Sequence, residues 1–240
     1  MSKLSLRHYV LAGILGALIA ALGFTPLGMI PVPTPAGAAT ILHIPVILAA
    51  LLEGPVFGGI VGFMFGGVSF YRAIVAPSNP VAQVMFTEPL TAFLPRILIG
   101  LTSFWAFRIA QKKTLRKIIS AASGLLIWDL SYRVAYHFEV IPGGLSSYLY
   151  FFPMGALTFY VLVNLLSGEN APVVAGALVG SLTNTVGVLG LVTLRGILPL
   201  SASAVIAVVQ GLPEAAVSIL ITLLLYKALL RRRSFWRREH

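Results

Sequence analysis

Few of the 240 residues carry side chains that could do chemistry, and they are scattered through long apolar runs. Arg96 directly follows Pro95. A proline has no N–H to give the carbonyl four residues back, so Thr91 loses its helical partner. An arginine set among apolar residues needs an anion, and a carboxylate ligand can be held bidentately. Glu88 and Glu214 are the internal alternatives. Gln210 and Glu214 stand at i and i+4, which places them on one helix face. Asn184 offers both a donor and an acceptor to an amide or hydroxyl, as does Gln210; an interhelical hydrogen bond would use the same groups. His43 and Thr40 open another apolar run, His43 as a ligand contact or a structural group, Thr40 as a contact or a helix N-cap. Asp129 and Arg133, also four apart, can pair with each other.

These groups suit recognition better than bond-breaking. The sequence holds no G-x-x-x-x-G-K-[ST] phosphate loop and no H-E-x-x-H. It has no G-x-S-x-G elbow either. Cysteine is absent and the four histidines are dispersed, so no metal, cofactor or catalytic constellation is expected. Any energy for moving a solute has to come from a partner or an ion gradient.

The elements that must position these residues follow from composition. The chain is 58% hydrophobic and 10% charged, with a mean hydropathy of +0.94. Soluble domains are about 45–50% apolar and about 25% charged, so a cytosolic enzyme, a disulfide scaffold and a disordered chain are excluded. The fold class is an all-α polytopic membrane protein. Eight hydrophobic runs are expected: about 9–24, 41–52, 56–75, 90–110, 118–138, 148–166, 173–194 and 202–230. The first reads as a retained helix rather than a cleavable signal peptide. The Pro-rich stretch 26–39 is too broken for a helix. Six runs form a core over 1–117 and 167–232, with 118–166 as an inserted helical hairpin and 231–240 as a basic tail.

The net charge of +10 collects at Lys3/Arg7, at 108–117 and at 227–238, each beside an apolar run. That is the pattern of cytoplasmic flanks. Both termini are therefore expected inside, with anionic lipid rather than nucleic acid as the partner of the tail. Thr40, His43, Arg96, Asn184, Gln210 and Glu214 then share the outer half of the membrane. Polar groups at that depth must face a protein interior or a water-filled cavity. Two small-residue stripes stand out: Gly58/Gly62/Gly66 is expected to pack internally, whereas Gly13/Ala17/Ala21, flanked by Ala12/Gly16/Ala20, leaves room for a partner membrane protein.

Several segments, taken together, resemble the substrate-binding S components of energy-coupling factor (ECF) vitamin transporters. They are Pro31-Val32-Pro33-Thr34-Pro35, Thr40-Ile41-Leu42-His43-Ile44-Pro45-Val46, and Leu52-Glu53-Gly54-Pro55 with its Gly-rich helix. Pro95-Arg96-Ile97-Leu98-Ile99-Gly100, Gly180-Ser181-Leu182-Thr183-Asn184-Thr185 and Gly211-Leu212-Pro213-Glu214 complete the set. The His-Ile-Pro and Pro-Arg-Ile-Leu-Ile-Gly segments look most like the pantothenate type. The resemblance implies a six-helix core that binds a water-soluble vitamin from outside, in the cytoplasmic membrane of a prokaryote. It implies docking through Gly13, Ala17 and Ala21 on an ECF transmembrane subunit driven by two ABC ATPases, with 26–40 as a gate. The 118–166 segment departs from the usual six-helix chain. Other vitamins (riboflavin, folate, cobalamin), a self-sufficient ion-coupled secondary transporter, and a membrane enzyme acting on lipid-linked substrates through Glu214 or Asp129 are the competing readings.

Overall fold

The computed structural model describes residues 6–31, 38–112 and 168–236, with isolated positions between 114 and 156. It divides into two compact units, Met1–Phe107 with Val173–His240, and Arg108–Pro172. The expected hairpin at 118–166, the Asp129–Arg133 pairing, the tip of the Pro-rich stretch and the last four tail residues lie outside the described residues, apart from those isolated positions.

Elements are numbered along the described residues. The fold is almost entirely helical. Helix α1 (Leu6–Gly23) is followed by a 3-10 turn, Pro26–Gly28, and a two-stranded antiparallel ribbon, β1 (Met29–Pro31) and β2 (Ala38–Thr40). Met29 faces Thr40 and Pro31 faces Ala38 in this ribbon. The prolines that forbid a helix here are compatible with short edge strands.

Helix α2 (His43–Glu53) is buried on every side from His43 to Leu51. At about 1.5 Å per residue its 11 residues reach roughly 16 Å, about half a bilayer core. Gly54, at φ +104°, makes the turn that ends α2, and Pro55 starts α3 (Pro55–Val75) at a position where its missing N–H is harmless. Helix α4 (Pro80–Phe86) is capped by Asn79, whose Oδ1 accepts the Ala82 N–H at 2.7 Å. Then come α5 (Pro89–Ala110), containing Pro95, and α6 (Ala171–Leu194). Helix α7 (Leu200–Ile206) runs through a π-turn, Ala207–Gly211, into α8 (Leu212–Trp236).

Among the described residues, four helices are long and apolar enough to cross a membrane: Pro55–Val75, Pro89–Ala110, Ala171–Leu194 and the continuous Leu200–Leu229. Tyr9–Gly23 and His43–Glu53 are apolar but shorter. The chain is thus a multi-pass membrane protein.

The core of the first unit is built from Ile19, Val46, Ile47, Val61, Phe65 and Ile99, contributed by α1, α2, α3 and α5. Glycines set how closely these helices approach. A Cβ on Gly58 would stand 2.6 Å from Ala50 Cβ and 2.8 Å from Gly100 Cα, so α2, α3 and α5 meet at one point. Gly62 lies against the backbone carbonyl of Arg96 and Gly66 against Phe93. The Gly58/Gly62/Gly66 stripe therefore packs internally, since only small residues let helix backbones come this close. Helix α1 divides its small residues. Gly16 packs on Met64, where a Cβ would meet the thioether sulfur at 2.9 Å, while Gly13, Ala17 and Ala21 are exposed.

Candidate functional site

The site is built around Arg96. Its backbone is held by Gly62 of α3, and Pro95 packs against Gly187 of α6, where a Cβ would stand 2.9 Å from the proline ring. The side chain is 3% exposed. Nη1 donates to the Thr91 carbonyl at 2.6 Å, taking the acceptor that Pro95 leaves without a helical partner. The guanidinium lies 4.7 Å from the Phe86 ring centroid and 5.2 Å from that of Phe65. Both distances are within cation–π range, which offsets part of the loss of hydration. Nε has no hydrogen-bond partner, and no carboxylate pairs with the group among the described residues.

Glu88 does not serve Arg96. It pairs with Arg195 at 2.8 Å and accepts from the Thr91 hydroxyl at 2.6 Å and the Thr91 N–H at 2.8 Å. The Thr91 hydroxyl holds the Glu88 carboxyl below its ordinary value against the opposing effect of burial, with lesser help from the Thr91 N–H and the Arg195 guanidinium.

Glu214, 7% exposed, is engaged elsewhere as well. Its Oε1 accepts the backbone N–H of Thr40 at 2.6 Å and lies 3.3 Å from Gln210 Nε2, a second donor. The π-turn carries Gln210 and Gly211, and Gly211 sits where a Cβ would meet Thr185 Cγ2 at 2.8 Å. The last long helix thereby approaches α6 beside Asn184. Asn184 is buried, and its Oδ1 has no partner among the described residues. Arg72 Nη1 donates to the Gly23 carbonyl at 2.6 Å, capping the C-terminal end of α1.

These residues surround one cavity, with about 830 Å³ of empty space including its opening. Phe65, Ser69 and Arg72 of α3 line it, with Met85 and Phe86 of α4 and Arg96 of α5. Asn184, Thr185, Val188 and Leu189 come from α6, and Ile206, Gln210, Gly211 and Glu214 from the last long helix. Thr40 closes the circle from β2. A mostly apolar wall with a few converging polar groups is the usual make-up of a small-molecule site. Beside it, Arg96 Nε and Asn184 Oδ1 are buried without a hydrogen-bond partner among the described residues.

The family model described as "ECF transporter, substrate-specific component" matches residues 7–226. The chain belongs to this family. It is therefore a transporter component and not an enzyme. A "Pantothenate transporter PanT" of Leuconostoc mesenteroides subsp. mesenteroides is 37% identical over 94 residues, covering 39% of the chain and 44% of that protein. A "Pantothenic acid transporter PanT" of Lactococcus lactis subsp. cremoris is 30% identical over 86 residues, 31% of the chain and 44% of that protein. The chain thus spans less than half the length of the curated relatives it matches.

Of the candidates taken from the sequence, this S component brings Thr40, Arg96, Asn184, Gln210 and Glu214 to one cavity. His43 is not on the cavity wall. It is fully buried at the start of α2, and neither ring nitrogen has a partner among the described residues. Thr40 is not an N-cap: Leu42 occupies that position, and Thr40 Oγ1 accepts the Leu42 N–H at 3.2 Å from the end of β2. Sequence reasoning missed Phe65, Phe86, Ser69 and Thr185. Thr185 adjoins Asn184 and could have been included, but nothing in the spacing ties the two phenylalanines to Arg96.

Proposed function

We propose that this S component is a high-affinity pantothenate-binding subunit, capturing the vitamin outside and passing it to an ATPase-driven partner module. The observation that carries this reading is the buried Arg96 guanidinium, which lines the cavity with no carboxylate paired to it directly among the described residues, Glu88 being bound to Arg195 and Glu214 to Thr40. Glu214 attracts the guanidinium without pairing with it directly, so part of the cost of burying this charge remains. An anionic ligand removes that cost at the moment of binding, and pantothenate carries one carboxylate. Its hydroxyls and amide N–H suit Asn184 and Gln210, with Thr40 and Glu214 at the cavity edge. The two relatives named as pantothenate transporters support the choice among vitamins.

The proposal includes a six-helix core over 1–117 and 167–232, an inserted hairpin at 118–166 and both termini in the cytoplasm of a prokaryote. The exposed Gly13/Ala17/Ala21 stripe of α1 is the surface for an ECF transmembrane subunit that works with two ABC ATPases. The basic tail at 231–240 meets anionic lipid; nucleic acid is not a partner. The test is uptake of labelled pantothenate into cells expressing the chain with and without an ECF module. Uptake that requires the module and its ATPase activity supports the proposal. Uptake by the chain alone contradicts it and favours ion-coupled transport.

A further inference from the structure

The cavity wall has one seam that belongs to no helix packing. Thr40, at the end of β2, meets the last long helix through the bond from its backbone N–H to Glu214 Oε1, at 2.6 Å. Both residues line the cavity. A backbone N–H donating to a carboxylate in a water-poor setting is among the stronger hydrogen bonds. The two ends of this bond differ in support. Glu214 is 7% exposed and has Gln210 as a second donor, whereas β2 is a three-residue strand that, among the described residues, pairs with β1 and is further held by the Thr40 hydroxyl donating to the Gly28 carbonyl at 3.3 Å. A two-stranded ribbon is marginal by itself.

We infer that Glu214 is a positioning residue: its carboxylate pins Thr40 and β2 against the last long helix, keeps the cavity wall closed there, and so governs how long a ligand stays bound. This extends the proposed binding function and rests on it for the ligand, but the pinning itself can be read without any ligand. Glu214 acts on the ligand through Thr40. Arg96, by contrast, lines the cavity with its own charged side chain.

The chain has no cysteine, so a single introduced one reports without background. Ser69→Cys places a thiol on the cavity wall. In purified protein without ligand, a bulky maleimide should label Cys at this position slowly. Adding Glu214→Ala should speed labelling roughly 10- to 100-fold, the range for losing a hydrogen bond to a charged group. Glu214→Gln keeps an acceptor oxygen for the Thr40 N–H and should restore most of the protection. Thr40→Pro removes the donor while leaving Glu214 in place, and should reproduce the fast labelling even where Glu214→Ala folds poorly. With bound pantothenate, the same variants should raise the dissociation rate by a similar factor and change the association rate little. Labelling at the parent rate in both Glu214→Ala and Thr40→Pro overturns the inference. So does weaker binding in Glu214→Ala with unchanged labelling, which would make Glu214 a direct ligand contact. Failure of the unsubstituted protein to bind pantothenate overturns the vitamin assignment and leaves the labelling result to stand or fall separately.

Discussion

Arg96 Nη1 lies 2.6 Å from the carbonyl oxygen of Thr91, the acceptor that Pro95 strips of its helical partner. A defect in α5 and the placement of a buried cation are thus one feature. The proline opens the carbonyl, the carbonyl fixes one nitrogen of the guanidinium, and Phe65 and Phe86 hold its plane.

Pro95→Ala tests this link. Alanine supplies an N–H to Thr91 and competes with Arg96 for the same oxygen. The variant should fold, because alanine is the better helix former. It should bind pantothenate roughly 5- to 10-fold more weakly, as expected for losing one net hydrogen bond that orients the cation. Calorimetric titration checks it; undiminished affinity would show that the Thr91 bond does not orient Arg96.

The long spans were legible in the sequence because apolar length is a strong signal: α3, α5 and α6 begin and end within two residues of the runs read from composition. Arg96, Asn184, Gln210 and Glu214, expected at a shared level from their distance along the spanning helices, line one cavity. Three things were not legible. The π-turn at Ala207–Gly211 changes the hydrogen-bond register without any compositional mark. The β1–β2 ribbon comes from a proline-rich stretch that says only what it is not. Which acid serves which base was also open: Glu88 pairs with Arg195, more than 100 positions away, through a contact that only the packed chain creates.

Gly62 is the point where α3 meets the Arg96 backbone. Gly62→Ala puts a methyl group into that carbonyl, and neither backbone can yield alone. We expect a loss of about 1–3 kcal/mol of stability, typical of overpacking, together with weaker binding as Arg96 is displaced. Gly13→Ala, where a Cβ meets nothing within 4 Å, should not lower stability, since alanine is the better helix former. Thermal unfolding of the two detergent-purified variants makes the comparison, and equal midpoints would contradict the packing account.

Helix α4 depends on its cap. Asn79→Ala removes the acceptor for the Ala82 N–H and should cost about 1 kcal/mol. Asn79→Asp should retain it. Met85 and Phe86 of α4 line the cavity, so the alanine variant should also weaken ligand binding. A midpoint unchanged from the parent would rule out the cap as a source of stability.

The Glu88 carboxyl is held below its ordinary value by Thr91 and Arg195. A group whose folded value is depressed stabilises above its unfolded value, about 4.3 for glutamate. That contribution is lost as pH falls through the lower folded value. The difference in unfolding midpoint between the parent and Glu88→Gln should therefore be constant from neutral pH down to about pH 5, then close on further acidification. A difference that grows as the pH falls would reverse the sign and contradict the assigned partners.

The most direct test of the central claim is equilibrium binding of pantothenate to purified protein, unsubstituted and carrying Arg96→Ala. The account predicts tight binding by the first. It predicts a loss of about 30-fold or more in the second, the lower range for removing one partner of a buried charged pair. Absence of binding by the unsubstituted protein, or affinity unaffected by Arg96→Ala, would contradict it.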